Sequence, residues 1–122
     1  MKVLIVESNP NLGQLWKAHV ERLGAAPAVL ALSQDDAIQE LMRREWDVIV
    51  LNLVLEDGGA MSVSDYASYR QPNAKVIIIN STSFFSDGSI FQHFANARAF
   101  LPASTKPEDL AATVAHYSRS ES

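Results

Sequence analysis

Residues 47–59 read DVIVLNLVLEDGG, and this stretch decides the fold. The run at 48–51 is continuously apolar, rich in Val and Ile, and too short for a helix. Such a run suits a strand covered on both faces, as in a parallel sheet between two helix layers. It ends on Asn52, and an acidic, glycine-containing loop follows at 56–59. Two runs of the same style lie outward from it, VLIV at 3–6 and VIII at 76–79, with weaker candidates at 28–32 and 99–101.

Between these runs the apolar period becomes helical. Leu12, Leu15, Trp16, Val20 and Leu23 form one stripe, with Asn9 as N-cap, Pro10 at the first helical position and Gly24 past the end. Ser33 with Asp36 three residues on reads as a capping box before a helix carrying Ala37, Ile38, Leu41 and Met42 on one face. Thr105 with Glu108 repeats the device before Leu110, Val114 and Tyr117. Residues 60–70 carry Met61, Val63, Tyr66 and Tyr69, and a short fourth helix is expected at 89–95, closed by Asn96 in a left-handed conformation. The order is βαβαβαβαβα without linker or repeat, which implies one α/β domain, doubly wound with right-handed crossovers, over 1–118 and a frayed tail at 119–122.

Composition narrows the function. The chain has 122 residues, 48% of them hydrophobic and 20% charged, the balance of a globular domain with one core. It contains no cysteine, which excludes disulfides, thiol catalysis and thiolate metal sites. Fourteen acidic against ten basic residues, a net charge of -4, argue against a dedicated nucleic-acid binder. No run approaches the roughly 20 apolar residues of a membrane helix. The first ten residues are too short for a signal peptide, so a cytoplasmic location is expected. The five phenylalanines all fall between Phe84 and Phe100.

In doubly wound folds, ligands and chemistry sit at the carboxyl ends of the strands. That rule selects Glu7 and Ser8, then 52–57, 80–83 and 102–105. At these positions the sequence resembles the response-regulator receiver domain of two-component signalling. KVLIVESNPNLGQLW is similar to its first strand, acidic loop and first helix, and DVIVLNLVLEDGG to its third strand and phosphorylation loop. VIIINST resembles its fourth strand, and FLPASTKPEDL its fifth strand and the start of its last helix. The resemblance spans nearly the whole chain and implies a flavodoxin-like (βα)5 fold with a parallel five-stranded sheet in the order 2-1-3-4-5.

The resemblance also implies a pocket from which this sequence departs. In the family, an aspartate ending strand three takes a phosphoryl group from phosphohistidine, and two acids after strand one help hold Mg²⁺. A hydroxyl ending strand four and a lysine ending strand five hold the phosphoryl group. Here the acidic pair is Glu7-Ser8, the acceptor position is Asn52, and the hydroxyl position falls on Asn80, beside Ser81 and Thr82. The lysine position, seven before Leu110, is Ala103. Lys106 lies three residues too late and is expected to face solvent, a loop shift being the alternative. An engineered change at residue 52 would leave Ser8 and Ala103 unexplained, so natural loss is the favoured account. Removing carboxylates relieves the repulsion that the metal and lysine otherwise offset. Glu7, Ser8, Asn52, Asn80, Ser81 and Ala103 thus form a vestigial phosphorylation pocket, with no catalytic residue, metal or cofactor expected.

Other chemistry is weakly supported. His19, His93 and His116 share no ligand spacing. Glu7 with Glu56 and Asp57 offers a cation site, set against two solvated loop acids and a leftover pocket acid. Asn52, Asn80 and Ser81 offer hydrogen bonds to a small polar ligand, set against bonding one another. No G-x-S-x-G elbow, G-x-G-x-x-G or Walker-type loop occurs. Phe84, Phe85, Phe91, Phe94 and Phe100 fall on the segment after strand four, the fourth helix and strand five, the face through which receivers contact partners. Phe91, Phe94 and Phe100, the last at the switch-aromatic position, are the candidate anchors, with burial under a collapsed loop as the alternative. The expected function is that of a non-enzymatic interaction module using the fourth helix, fifth strand and fifth helix. Its partner would be a histidine kinase, an effector, an output domain or a second copy, without contact to nucleic acid or membrane. The alternatives are a regulator phosphorylated at a displaced acceptor such as Asp57 and a small-ligand sensor.

Overall fold

A computed structural model of the chain describes residues 2–24, 28–55, 59–80 and 96–119. In chain order the elements are β1 (Val3–Val6), α1 (Pro10–Arg22), β2 (Ala28–Ala31), α2 (Gln34–Arg43), β3 (Val48–Asn52), α3 (Ala60–Arg70), β4 (Lys75–Asn80), β5 (Ala97–Pro102) and α4 (Pro107–Arg119). The strands form one parallel sheet in the order β2-β1-β3-β4-β5. This is the expected doubly wound, flavodoxin-like arrangement. The short helix expected at 89–95 lies outside the described residues, so α4 is the helix read from the sequence as the fifth.

The continuous apolar runs are strands because both of their faces are covered. Alternate residues point to opposite sides of the sheet. Leu4, Val6, Ile49, Leu51, Val76 and Ile78 join Ala37 and Leu41 of α2 and Val63 and Ala67 of α3. Val3, Ile5, Val48, Val50, Ile77 and Ile79 join Trp16 and Val20 of α1 and Leu110 and Val114 of α4. At roughly 1.5–3 kcal/mol for each large apolar side chain taken from water, β1, β3 and β4 dominate the stability. The β4–β5 register shifts between Val76 and Ile77, so Ala97 pairs with Val76 but Ala99 with Ile77.

The helix starts follow the sequence closely. Asn9 caps α1, its side chain accepting from the amides of Asn11 and Leu12, and Ser33 Oγ accepts from Asp36 N at 3.1 Å. Gly24 has φ of 99°, the left-handed region that a side chain would strain. The cap of α4 differs from expectation. Its first helical bond runs from Leu110 N to Lys106 O, so Lys106 holds the cap position and Pro107 the first helical one. The helix thus begins one residue after the start set by a Thr105–Glu108 box, since proline at the first helical position forfeits no helical bond. It continues through Ser118 to Arg119.

The apolar stripes are narrower than the spacing implied. Leu15 and Leu23 of the first stripe are exposed, as are Met42, Met61 and Tyr69. Gly13 takes the buried place on α1 instead: a Cβ there would meet Leu30 Cδ1 at 2.5 Å. That close approach is what lets α1 lie down on β2.

Candidate functional site

The carboxyl ends of the strands meet where the topology says they should. Glu7 N donates to Ala31 O at 3.0 Å, Leu53 N to Ile79 O at 2.8 Å, and Ala103 N to Asn80 O at 3.0 Å. These backbone bonds extend the ladders one residue past the strands and fix the loops that form the site.

Glu7 and Asn52 stand at its centre, 3% and 6% exposed. Asn52 Nδ2 donates to Glu7 Oε1 at 2.6 Å. The second carboxylate oxygen, Oε2, accepts from Asn9 N at 2.8 Å. Asn52 Oδ1 in turn accepts from Val54 N at 3.0 Å, the local turn that asparagine side chains favour. Charge-assisted bonds of this kind are the stronger class of hydrogen bond, and the one from Asn52 to Glu7 adds a side-chain link at the ends of β1 and β3.

The other expected residues fall around this pair. Half-buried Ser8 lines an open cleft of about 520 Å³ together with Glu7, Asn9, Pro10, Val54 and Leu55. Asn80 is half-buried and Ala103 exposed, joined through the backbone. Lys106 is exposed, as expected. Ser81, Glu56, Asp57, Phe91 and Phe94 lie outside the described residues, as do Phe84, Phe85 and His93. Phe100 is half-buried on β5, packed against the core on the α2–α3 side. His19 is half-buried and His116 exposed, the latter with its ring edge against Tyr117, centroids 4.9 Å apart. Among the described residues no three His, Asp or Glu side chains gather as metal ligands do.

Two contributors were not legible as such. Asn9 was read as a helix cap, yet its backbone amide also serves Glu7; its place two residues after a strand-end acid was the available signal. Val54 offers no chemical signal in the sequence, because its role is that of a backbone donor.

The Mg²⁺ that the fold family implies can be tested against this donor set. A hard divalent cation wants several oxygen ligands. The described pocket supplies one carboxylate, each of whose oxygens already accepts an N–H, and an amide oxygen engaged by Val54 N. The described residues do not fit the ion. Nor can a carboxamide at residue 52 accept a phosphoryl group as an acyl phosphate. What the arrangement does offer is a pair of hydrogen-bonded strand ends beside an open, partly apolar cleft.

No family model matches the chain, and no curated protein matches it in sequence. Solved structures do match in shape. A CheY-like response regulator receiver domain protein from Methanospirillum hungatei aligns with a TM-score of 0.84 at 18% identity, covering 96% of this chain and 92% of that one. The receiver domain of a putative Luxo repressor protein from Vibrio parahaemolyticus aligns with a TM-score of 0.83 at 26% identity, over 97% and 89%. TrrA of Thermotoga maritima, a response regulator solved with Mg²⁺ and beryllium fluoride, aligns with a TM-score of 0.79 at 20% identity, over 95% and 97%. The chain therefore has the fold of the response-regulator receiver domains.

Proposed function

We propose that this chain is a cytoplasmic, non-enzymatic signalling domain that works by binding protein partners, without phosphoryl transfer at residue 52. The receiver fold supports a place in two-component signalling. The observation that carries the finer reading is the 2.6 Å bond from Asn52 Nδ2 to Glu7 Oε1. At the end of β3, an amide donor occupies the carboxylate that would otherwise bind a cation. Among the described residues, both oxygens of the Glu7 carboxylate have N–H donors from the chain itself.

The surface we assign to partner binding is made of β5 and α4, together with the fourth helix read from the sequence, which lies outside the described residues. β5 is a terminal strand of the sheet, and its Phe100 is half-buried. Phe91 and Phe94 belong to the same assignment by sequence. The occupant would be a histidine kinase, an effector, an output domain or a second copy, with no direct contact to nucleic acid. No helix among the described residues is long and apolar enough to cross a membrane.

Incubation with acetyl phosphate and Mg²⁺ followed by intact mass tests the reading. No mass gain is expected. A gain of one phosphoryl group that disappears in Asp57→Asn would replace it with a displaced acceptor. For the surface, light scattering at high protein concentration and recovery of partners from host lysate should show association that Phe100→Ser weakens. A strict monomer without partners overturns that assignment.

A further inference from the structure

A second polar surface lies at the other end of the sheet, where α2 and α3 both finish. Two adjoining clefts of about 240 and 110 Å³ meet there, sharing Glu45, Arg70 and Gln71 as walls. The larger carries Met42, Arg43 and Arg44; the smaller extends over Trp46 to the turn at Pro72 and Asn73. The two clefts thus form one neighbourhood at the ends of α2 and α3.

Arginines at helix ends usually bind the last carbonyls of the helix. Here other donors hold those carbonyls. Gln71 Nε2 donates to Leu41 O and Arg44 O, each at 2.8 Å. Trp46 Nε1 donates to Glu40 O at 3.0 Å, and Gln71 N to Ala67 O at 2.7 Å. The guanidinium groups are thereby not required at those carbonyls. Arg43 and Arg44 approach Glu40 only at 3.6 and 3.8 Å, with side chains 64% and 38% exposed, the weak class of surface ion pair. Arg70 is exposed and makes no ion pair among the described residues. Arg44 is held over the Trp46 ring, 5.5 Å from its centroid, which orders its planar head.

We infer that this pair of clefts binds an extended acidic segment of a partner protein, with carboxylates on Arg43, Arg44 and Arg70 and an apolar residue over Met42. Their spread favours a segment over a free anion: the arginines come from the ends of two helices, α2 and α3, and exposed Met42 lines the same cleft. Charge points the same way, since three arginines outnumber the two acids beside them, Glu40 and Glu45, on a chain whose net charge is -4. Arginine suits this task because its fork meets carboxylates in two parallel bonds. The inference is independent of Asn52, which sits at the opposite end of the sheet.

The test is fluorescence anisotropy with a fluorescein-labelled peptide of glutamates flanking one leucine, against its glutamine counterpart, at low and high salt. The acidic peptide should bind, the glutamine peptide should not, and salt should weaken the complex. Arg70→Gln and Arg43→Gln should each weaken binding about tenfold, the loss expected for one charge-assisted contact. Lys106→Gln, at the far end of the molecule, should leave it unchanged. Equal binding of both peptides, or an equal effect of Lys106→Gln, overturns the proposal. So does displacement by inorganic phosphate at matched carboxylate concentration, which would show a simple ion site.

Discussion

Gln71 and Asn96, at the amino end of the sheet, are 8% and 4% exposed; Glu7 and Asn52, at its carboxyl end, are 3% and 6%. Burial does not separate the two pairs, but the reach of their hydrogen bonds does. Gln71 uses both donors and its acceptor on the chain, with Trp46 N donating to Oε1 at 2.8 Å. Asn96 Nδ2 donates to Ala74 O at 2.9 Å, while its Oδ1 accepts from Ser68 Oγ at 2.9 Å. These amides join α2, α3, β4 and β5. Asn52 instead joins Glu7 to the turn at Val54, and Glu7 borders the open cleft, where water can take over a lost bond. The amino end ties several elements together, and the carboxyl end joins one pair of strand ends.

The largest expected effect follows from breaking the first network. Gln71→Leu strands two carbonyls and an amide, and at about 1–3 kcal/mol for each buried orphan the loss should reach about 3–5 kcal/mol in urea unfolding. Asn96→Ala removes two bonds and should cost about 2 kcal/mol by the same measurement. At the other end, Asn52→Asp sets a second carboxylate against Glu7. It should lose about 1–2 kcal/mol, near one pKa unit of mutual repulsion, and recover when Mg²⁺ is added. Asn52→Ala should cost about 1 kcal/mol, since it breaks the bond to a carboxylate that water can reach from the cleft. Were Asn52→Ala as damaging as Gln71→Leu, the distinction between the two ends would fall.

Much of this fold was legible because its strands are unbroken apolar runs and its helix starts carry caps. The run at 48–51 could only be a doubly covered strand, and Asn9-Pro10 could only open a helix. Which edge of a helical stripe is covered was not legible, because 3.6-residue spacing leaves a margin on either side. Leu15 and Leu23 fall on that margin, and the packing surface is decided by Gly13, whose signal is the absence of a side chain. At the site, the rule that strand ends carry chemistry selected Glu7 and Asn52 separately. Their bond was not legible: the sequence offers Asn80 and Ser81 as company for Asn52, and nothing in it signals that the Asn52 amide donates across to β1. Gln71 was missed altogether, since a polar residue before proline in a turn reads as solvated. Only the tertiary approach of α2 turns it into a buried hub.

The Trp46 amide carries a consequence in time as well as energy. Its proton sits on Gln71 Oε1 inside the amide network, so exchange with deuterated solvent should await cooperative opening of the whole domain. The Val54 amide, bonded to Asn52 Oδ1 beside the cleft, should exchange through local excursions of its loop. Two backbone protons only eight positions apart in the chain would then keep different clocks, one set by global unfolding and the other by the breathing of a single turn.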